Sequence, residues 1–273
     1  MSDVLIDCDE PIEIADGVHW VGFADERAGF HCNPYLIVDN DEAVLIDSGS
    51  RNDFSTVMLK IMRTGVNPKC IQRLVYQHYD PDLCGNIPHM EAMIENDDLK
   101  IISHVENNIF IKYYSPKSQR LCIEDIGLHY EFSSGRRLEF IRTPYCHSAG
   151  SFITYDTKTK TLFSSDIFGA FDSGWTFFSQ VGTDCFECEA KAICHKTNSG
   201  CQMLGLVEFA KRIMPTTKSL RYALNLIEDL EISLIAPQHG SIFISRDSKD
   251  AALKLLKSLS DVGIDSFLEG CIV

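Results

Sequence analysis

The chain has 273 residues, with 39 acidic against 25 basic side chains and a formal net charge of −14; 45% are hydrophobic and 23% charged. Such a composition buries a substantial core, excludes disorder, collagen and coiled coil, and, lacking a Lys/Arg cluster, argues against a nucleic-acid partner. No apolar run approaches the roughly 18 to 20 residues of a membrane span, the N-terminus lacks a secretory pattern, and eleven scattered cysteines read as reduced thiols, so the expectation is a cytoplasmic protein without membrane contact.

Along the chain, "GVHWVGF" from Gly17, "NPYLIVDN" from Asn33 and "EAVLIDSGS" from Glu42 predict strands of a meander. "DFSTVMLKIMRTG" changes to helical spacing, with Asp53 or Ser55 available as a cap and Gly65 as a stop. "IQRLVYQHYD" reads as a buried strand and "PHMEAMIEND" as a helix. Several strands are expected between Leu128 and Phe171, punctuated by Gly and a "DTKTK" turn. A helical region from about Gly205 to Leu230, broken near Pro215, precedes a strand in "ISLIAPQHGSIF" and a helix in "KDAALKLLKSL". No linker or repeat interrupts the pattern, which predicts one domain over 1–273 built from two β-rich layers covered by helices.

Chemistry gathers where strands end. In "VYQHYDPDLCGNIP", His78, Asp80 and Asp82 alternate directly after an apolar strand; His147 follows a strand in "RTPYCHSAGSF", Asp166 in "TLFSSDIFGAF" and His239 in "LIAPQHGSIF". Strand termini on one edge of a sandwich converge, so residues distant in sequence can meet around a metal while the sheets hold them rigid. One such histidine alone would read as a packed or surface residue. Four segments in matching context predict a metal site.

These segments resemble the metallo-β-lactamase superfamily, and within it the diiron domains of flavodiiron proteins. "NPYLIVDNDEAVLIDSGS" is similar to the family's opening strands, "HYDPDLCGNIP" to its first ligand loop and "FSSDIFGAF" to its bridging-aspartate segment, in the family's order from about Gly17 to Ser245. The resemblance implies an α/β (α+β) four-layer αββα sandwich. Zinc hydrolases of the superfamily carry His-x-His-x-Asp-His at the first loop and flavodiiron proteins His-x-Glu-x-Asp-His. Here the order is His78, Asp80, Asp82 and then Leu83, so a carboxylate replaces the second histidine and the last histidine is lost.

Carried over, the resemblance implies two iron ions, one bound by His78, Asp80 and His147, the other by Asp82 and His239, with Asp166 between them. Three carboxylates leave one positive charge on a ferrous pair, which a bridging hydroxide or oxo group would neutralise. A mixed N/O donor set suits iron, whereas zinc favours a closed tetrahedron. Leu83 withdraws a possible nitrogen from the metal at Asp82, implying an open position there.

Flavodiiron enzymes add a flavodoxin domain. No phosphate loop follows His239, and the stretch to Val273 is too short for a domain of typical size, so neither a flavin (FMN) site nor a flavodoxin domain is expected in this chain. Without a built-in electron source, binding of dioxygen is the simpler expectation than turnover. The resemblance to stand-alone oxygen-binding diiron proteins implies an oxygen sensor with a signalling partner and a homodimer. Two alternatives stay open: an O2 or NO reductase fed by a separate flavoprotein or rubredoxin, and a zinc hydrolase using metal-bound hydroxide.

Around these positions, Tyr79 is a candidate hydrogen-bond donor, and Phe168, Phe171, Trp175, Phe177 and Phe178 suggest either a dry wall or ordinary core. Segment 171–182 is the candidate relay to the surface. Cys185, Cys188, Cys194 and Cys201 with His195 offer an irregular second metal or redox cluster, with ordinary reduced thiols as the alternative. Cys84 and Cys146 read as small fillers beside ligands. His19, His31, His89, His104 and His129 receive no role.

Overall fold

The computed structural model describes residues 6–24, 29–115, 117–172, 174–188, 193–194, 196 and 198–268. Strands β1 (Ile12–Ala15), β2 (Val18–Trp20), β3 (Tyr35–Asp39), β4 (Glu42–Ile46), β5 (Ile71–Val75), β6 (Lys100–Ser103) and β7 (Gln119–Cys122) form one sheet in that spatial order. The first four pair antiparallel, while β4 to β7 are parallel. Parallel neighbours need crossovers, supplied by α1 (Phe54–Arg63), by α2 (Pro81–Cys84) with α3 (Ile87–Ile94), and by α4 (Val105–Ile111).

The second sheet contains the antiparallel meander β8 (His129–Glu131), β9 (Arg137–Arg142), β10 (Phe152–Asp156) and β11 (Thr161–Phe163). A short hairpin of β12 (Ile193–Cys194) and β13 (Ser199–Gly200) and helices α5 (Gln202–Ile213) and α6 (Thr217–Glu228) intervene before β14 (Leu234–Ala236) returns parallel to β11; α7 (Arg246–Ser258) and α8 (Asp265–Leu268) follow. The side chains of Thr216 and Ser245 cap α6 and α7 by accepting from Ser219 N and Ser248 N, each satisfying an otherwise orphaned amide.

Alternation along the strands sorts side chains into three cores. Tyr35, Ile37, Val44, Ile46, Val75 and Ile102 face Phe140, Phe152, Phe163 and Ala236 between the two sheets. Their neighbours Leu36, Leu45, Leu74 and Ile101 pack under α1, α3 and α4 through Val57, Ile61, Met90 and Ile111. On the far side Ile153, Leu162 and Ile235 pack against Leu206, Leu224 and Leu256 of α5, α6 and α7. The result is the four-layer αββα sandwich. Among the described residues no helix is long and apolar enough to cross a membrane.

Both β9 and β11 are antiparallel to β10, so they run the same way, and β14 runs with them. Their C-terminal ends therefore feed one edge of the sandwich. Parallel strands β4, β5 and β6 likewise finish together in the other sheet. At the opposite edge the Arg136 guanidinium is buried between the sheets, donating to both carboxylate oxygens of Asp156 and to the Val38 carbonyl beside Asp39.

Candidate metal centre

His78 leaves the end of β5 and is buried, with Nδ1 3.1 Å from Ser165 Oγ. Ser165 directly precedes Asp166 and adopts φ +51°, a left-handed conformation uncommon for a residue with a side chain. Asp47 (φ +55°) at the end of β4 and Tyr145 (φ +61°) before His147 share that conformation. Gly240 (φ +83°) follows His239, where a Cβ would stand 2.8 Å from that of Ala170. Such strain collects where strands must turn sharply to present functional groups, and the surrounding packing holds it.

The six residues expected to bind metal come together. One oxygen of Asp166, Oδ2, lies 3.1 Å from His147 Nε2 and 3.8 Å from His78 Nε2, while Asp80 Oδ2 lies 3.3 and 4.0 Å from the same two nitrogens. The other oxygen, Oδ1, faces His239 Nε2 at 3.5 Å, and His239 Nε2 is 3.3 Å from Asp82 Oδ2. The two Asp166 oxygens thus look toward two separate groups of donors. Among the described residues, His78, His147 and Asp166 alone bring their ligand atoms within 4.8 Å of one another, the spacing that could hold a metal ion.

The donor set fits cations. Asp166 is buried, yet its Oδ1 has no hydrogen-bond partner, an arrangement that costs on the order of 1–3 kcal/mol or more unless a donor or an ion arrives. Donors about 2.1 Å from a shared ion stand roughly 3 to 4 Å apart, the spacing observed here. Burial would raise Asp166, but the charge of His78 and the hydrogen bond from His147, with His239 nearby, hold its carboxyl well below the usual range. Burial likewise opposes ionisation of Asp80, and the His147 hydrogen bond and His78 outweigh it, lowering the carboxyl. Burial pulls the His78 imidazole down despite Asp166. Burial also opposes charge on His147, but hydrogen bonds to Asp166 and Asp80 prevail and raise it to about 10.

The imidazole of His239 is fixed from behind. Its Nδ1 lies 2.7 Å from the His31 carbonyl, an acceptor that requires Nδ1–H and leaves Nε2 free as a ligand. Its ring stacks on Phe30 with centroids 4.1 Å apart and meets Phe209 at 5.5 Å. Phe209 belongs to α5, while Phe30 and His31 come from the stretch before β3, which straps the β14 loop. Asn33 accepts from Trp20 Nε1 and donates to the carbonyls of Pro237 and Gly240, and Tyr35 Oη donates to Pro237.

Several expectations beside the ligands change. Of the five downstream aromatics only Phe171 joins the group at His239, through Phe30 and Phe209. Phe168 packs on Phe243 in the outer core, Trp175 meets the His31 ring, and Phe177 contacts Trp20 and Phe178. Tyr79 stacks on Phe110 of α4 at 4.3 Å, a packing role. His31, given no role from sequence, is buried with Nδ1 2.9 Å from Asp172 Oδ2, which ties segment 171–182 to the strap. Leu83 is fully buried in the core under the helices, among the residues around Tyr76 and Ile87. Cys84 and Cys146 are buried, with sulfurs directed at the carbonyls of His78 and Ser219. The cysteine segment gathers no three-residue metal cluster among the described residues; Cys185 Sγ lies 3.9 Å from Lys196 Nζ, and His195 lies outside the described residues.

The chain is similar to known proteins in sequence and in fold. An uncharacterized protein of Methanocaldococcus jannaschii is 30% identical over 85% of this chain and 56% of its own length. An anaerobic nitric oxide reductase flavorubredoxin of Pectobacterium carotovorum is 27% identical over 58% of this chain and 33% of its own. The chain thus spans between a third and just over half of these curated relatives. Among solved structures, a peroxy diiron species of the chemotaxis sensor ODP superposes with a TM-score of 0.74 at 25% identity, covering 95% of this chain and 99% of that one. A flavo di-iron protein variant from Thermotoga maritima gives 0.74 at 19% identity, covering 91% and 61%, a likeness of fold. Residues 30–240, which hold the strap and all six converging side chains, match the family described as ODP family beta lactamase, and the chain belongs to that family.

Proposed function

We propose that this protein holds a pair of iron ions and binds dioxygen as the input of a sensor. His78, Asp80 and His147 hold one ion, Asp82 and His239 the other, and Asp166 gives one oxygen to each. The observation that carries the assignment is the split of Asp166, with Oδ2 toward His147 and His78 and Oδ1 toward His239. A ferrous pair supplies the two electrons that dioxygen takes up on binding. The chain's own part is to keep His78, His147 and His239 aimed with Nε2 inward and to pack His239 against Phe30 and Phe209, apolar rings that limit access of water and protons from that side. The mutual coverage with the chemotaxis sensor ODP supports sensing over turnover.

A second reading is an O2 or NO reductase that receives electrons from a separate flavoprotein or rubredoxin, favoured by the relatives named as nitric oxide reductase flavorubredoxins. Iron(II)-loaded protein exposed to air without reductant separates the two. A visible charge-transfer band that forms and persists is expected for the sensor, whereas one that decays to plain diferric protein, restored to ferrous by an added donor, supports the reductase. Protein that takes up zinc but no iron defeats both.

A further inference from the structure

The two halves of the centre are unequal. Three side chains face the Oδ2 side of Asp166, but among the described residues only Asp82 and His239 are paired at the Oδ1 side, where Leu83 offers no donor atom and packs in the helical core. Gln238 is the polar side chain left at that poorer half. It is 1% exposed, precedes His239, and is fixed at both backbone groups: its N–H donates to the Ser165 carbonyl at 3.1 Å and its carbonyl accepts from Asn33 N at 2.6 Å. Its Nε2 stands 3.5 Å from Asp82 Oδ2, the oxygen that also faces His239 Nε2. The amide oxygen Oε1 is buried with no hydrogen-bond partner. In this sense the amide nitrogen faces Asp82; a cation held by Asp82 and His239 would reverse the preference and draw Oε1 toward it by a turn of the amide.

We propose that Gln238 completes the second metal position: its amide oxygen ligates the divalent cation held by Asp82, His239 and Asp166, in place of the nitrogen that Leu83 lacks. The inference rests on the two-metal reading above. An amide carbonyl is a hard, neutral oxygen donor suited to such a cation. It adds no charge to a site already holding three carboxylates. Being a weaker donor than imidazole, it yields its position to an incoming small ligand, which makes Gln238 a determinant of how readily that ion accepts one.

The test is an anaerobic titration of the full chain with cobalt(II), read by visible absorption and by calorimetry. The unaltered protein is expected to take two ions in resolvable steps. Gln238→Leu, similar in volume, should weaken the second step by about 10- to 100-fold and leave the first in place. Gln238→Glu, which keeps an oxygen at the same reach, should restore the second step to within about threefold or better. Should Gln238→Glu fall as far as Gln238→Leu, the amide acts through its N–H on Asp82 and the ligand role is overturned. A second step unchanged in Gln238→Leu overturns it as well. Circular dichroism of the metal-free variants controls for folding, and an unaltered protein that binds fewer than two ions defeats the two-metal reading itself, a separate result.

Discussion

Asp166 is the residue on which the centre turns. Its buried carboxylate faces three histidines, so Asp166→Ala removes a contact from both halves at once. We expect that variant to lose both ions together in metal analysis, whereas Asp80→Ala should chiefly weaken the half at His78 and His147. Proton linkage gives a second expectation. In the metal-free protein His147 is raised to about 10 from 6.5, so its contribution to stability is complete below pH 6.5 and is lost as pH climbs toward 10. Asp166 and Asp80 are depressed from 3.8; their contribution is present above about pH 4 and lost as pH falls further. Thermal unfolding of metal-free protein should therefore show a plateau between about pH 4 and 6.5 and a declining alkaline limb, which His147→Ala should flatten. Because a ligand imidazole must be neutral, metal uptake at pH 7.5 should also release about one proton from His147, measurable by calorimetry in two buffers. The convergence of His78, Asp80, Asp82, His147, Asp166 and His239 was legible in the sequence because each of the four segments that carry them follows an apolar strand. The parts played by Phe30, His31 and Gln238 were not, since a phenyl ring, a backbone carbonyl and an amide acquire meaning only once the strap before β3 meets the loop after β14.

Among the elements, that strap carries the most position-specific work. Asn33 alone joins Trp20 to two carbonyls of the 237–240 loop. Asn33→Ala leaves Trp20 Nε1 and the Gly240 carbonyl unpaired, while the Pro237 carbonyl keeps Tyr35 Oη, and should destabilise the protein by about 2–4 kcal/mol in denaturant unfolding, with a weaker hold on a metal ion at His239. The antiparallel strands and the long helices followed their sequence patterns closely: β3 and β4 alternate between two cores, and the break at Pro215 separates α5 from α6. The parallel additions β6 and β7 went unread. Four residues such as Lys100–Ser103 hold too little periodicity to distinguish a strand from a turn, and their pairing with β5 is decided by α3 and α4 packing across the sheet.

At the scale of the whole molecule, the two sheets are tied at opposite edges by unlike means. Arg136 bonds across one edge, buried with Asp156 and Asp39; removing it leaves the buried Asp156 without a counter-charge, held only by Thr159 Oγ1 and Lys158 N, while Asp39 keeps Lys158, and Arg136→Met should cost about 3 kcal/mol with or without metal. At the other edge His78, Asp80 and Asp82 follow a strand of the first sheet while His147, Asp166 and His239 follow strands of the second. Metal bound there should raise the melting temperature in proportion to the logarithm of free metal concentration, an increment the Asp166→Ala variant should lack.

The parallel seating of β14 beside β11 also sets a timetable. His239 follows β14, which comes after α5 and α6 in the chain, so a growing chain on the ribosome cannot bring the six converging side chains together until β14 has emerged. A cation encountered earlier would meet at most the donors near His78, His147 and Asp166, so the full donor set reports that the strap before β3 and the loop after β14 have found each other.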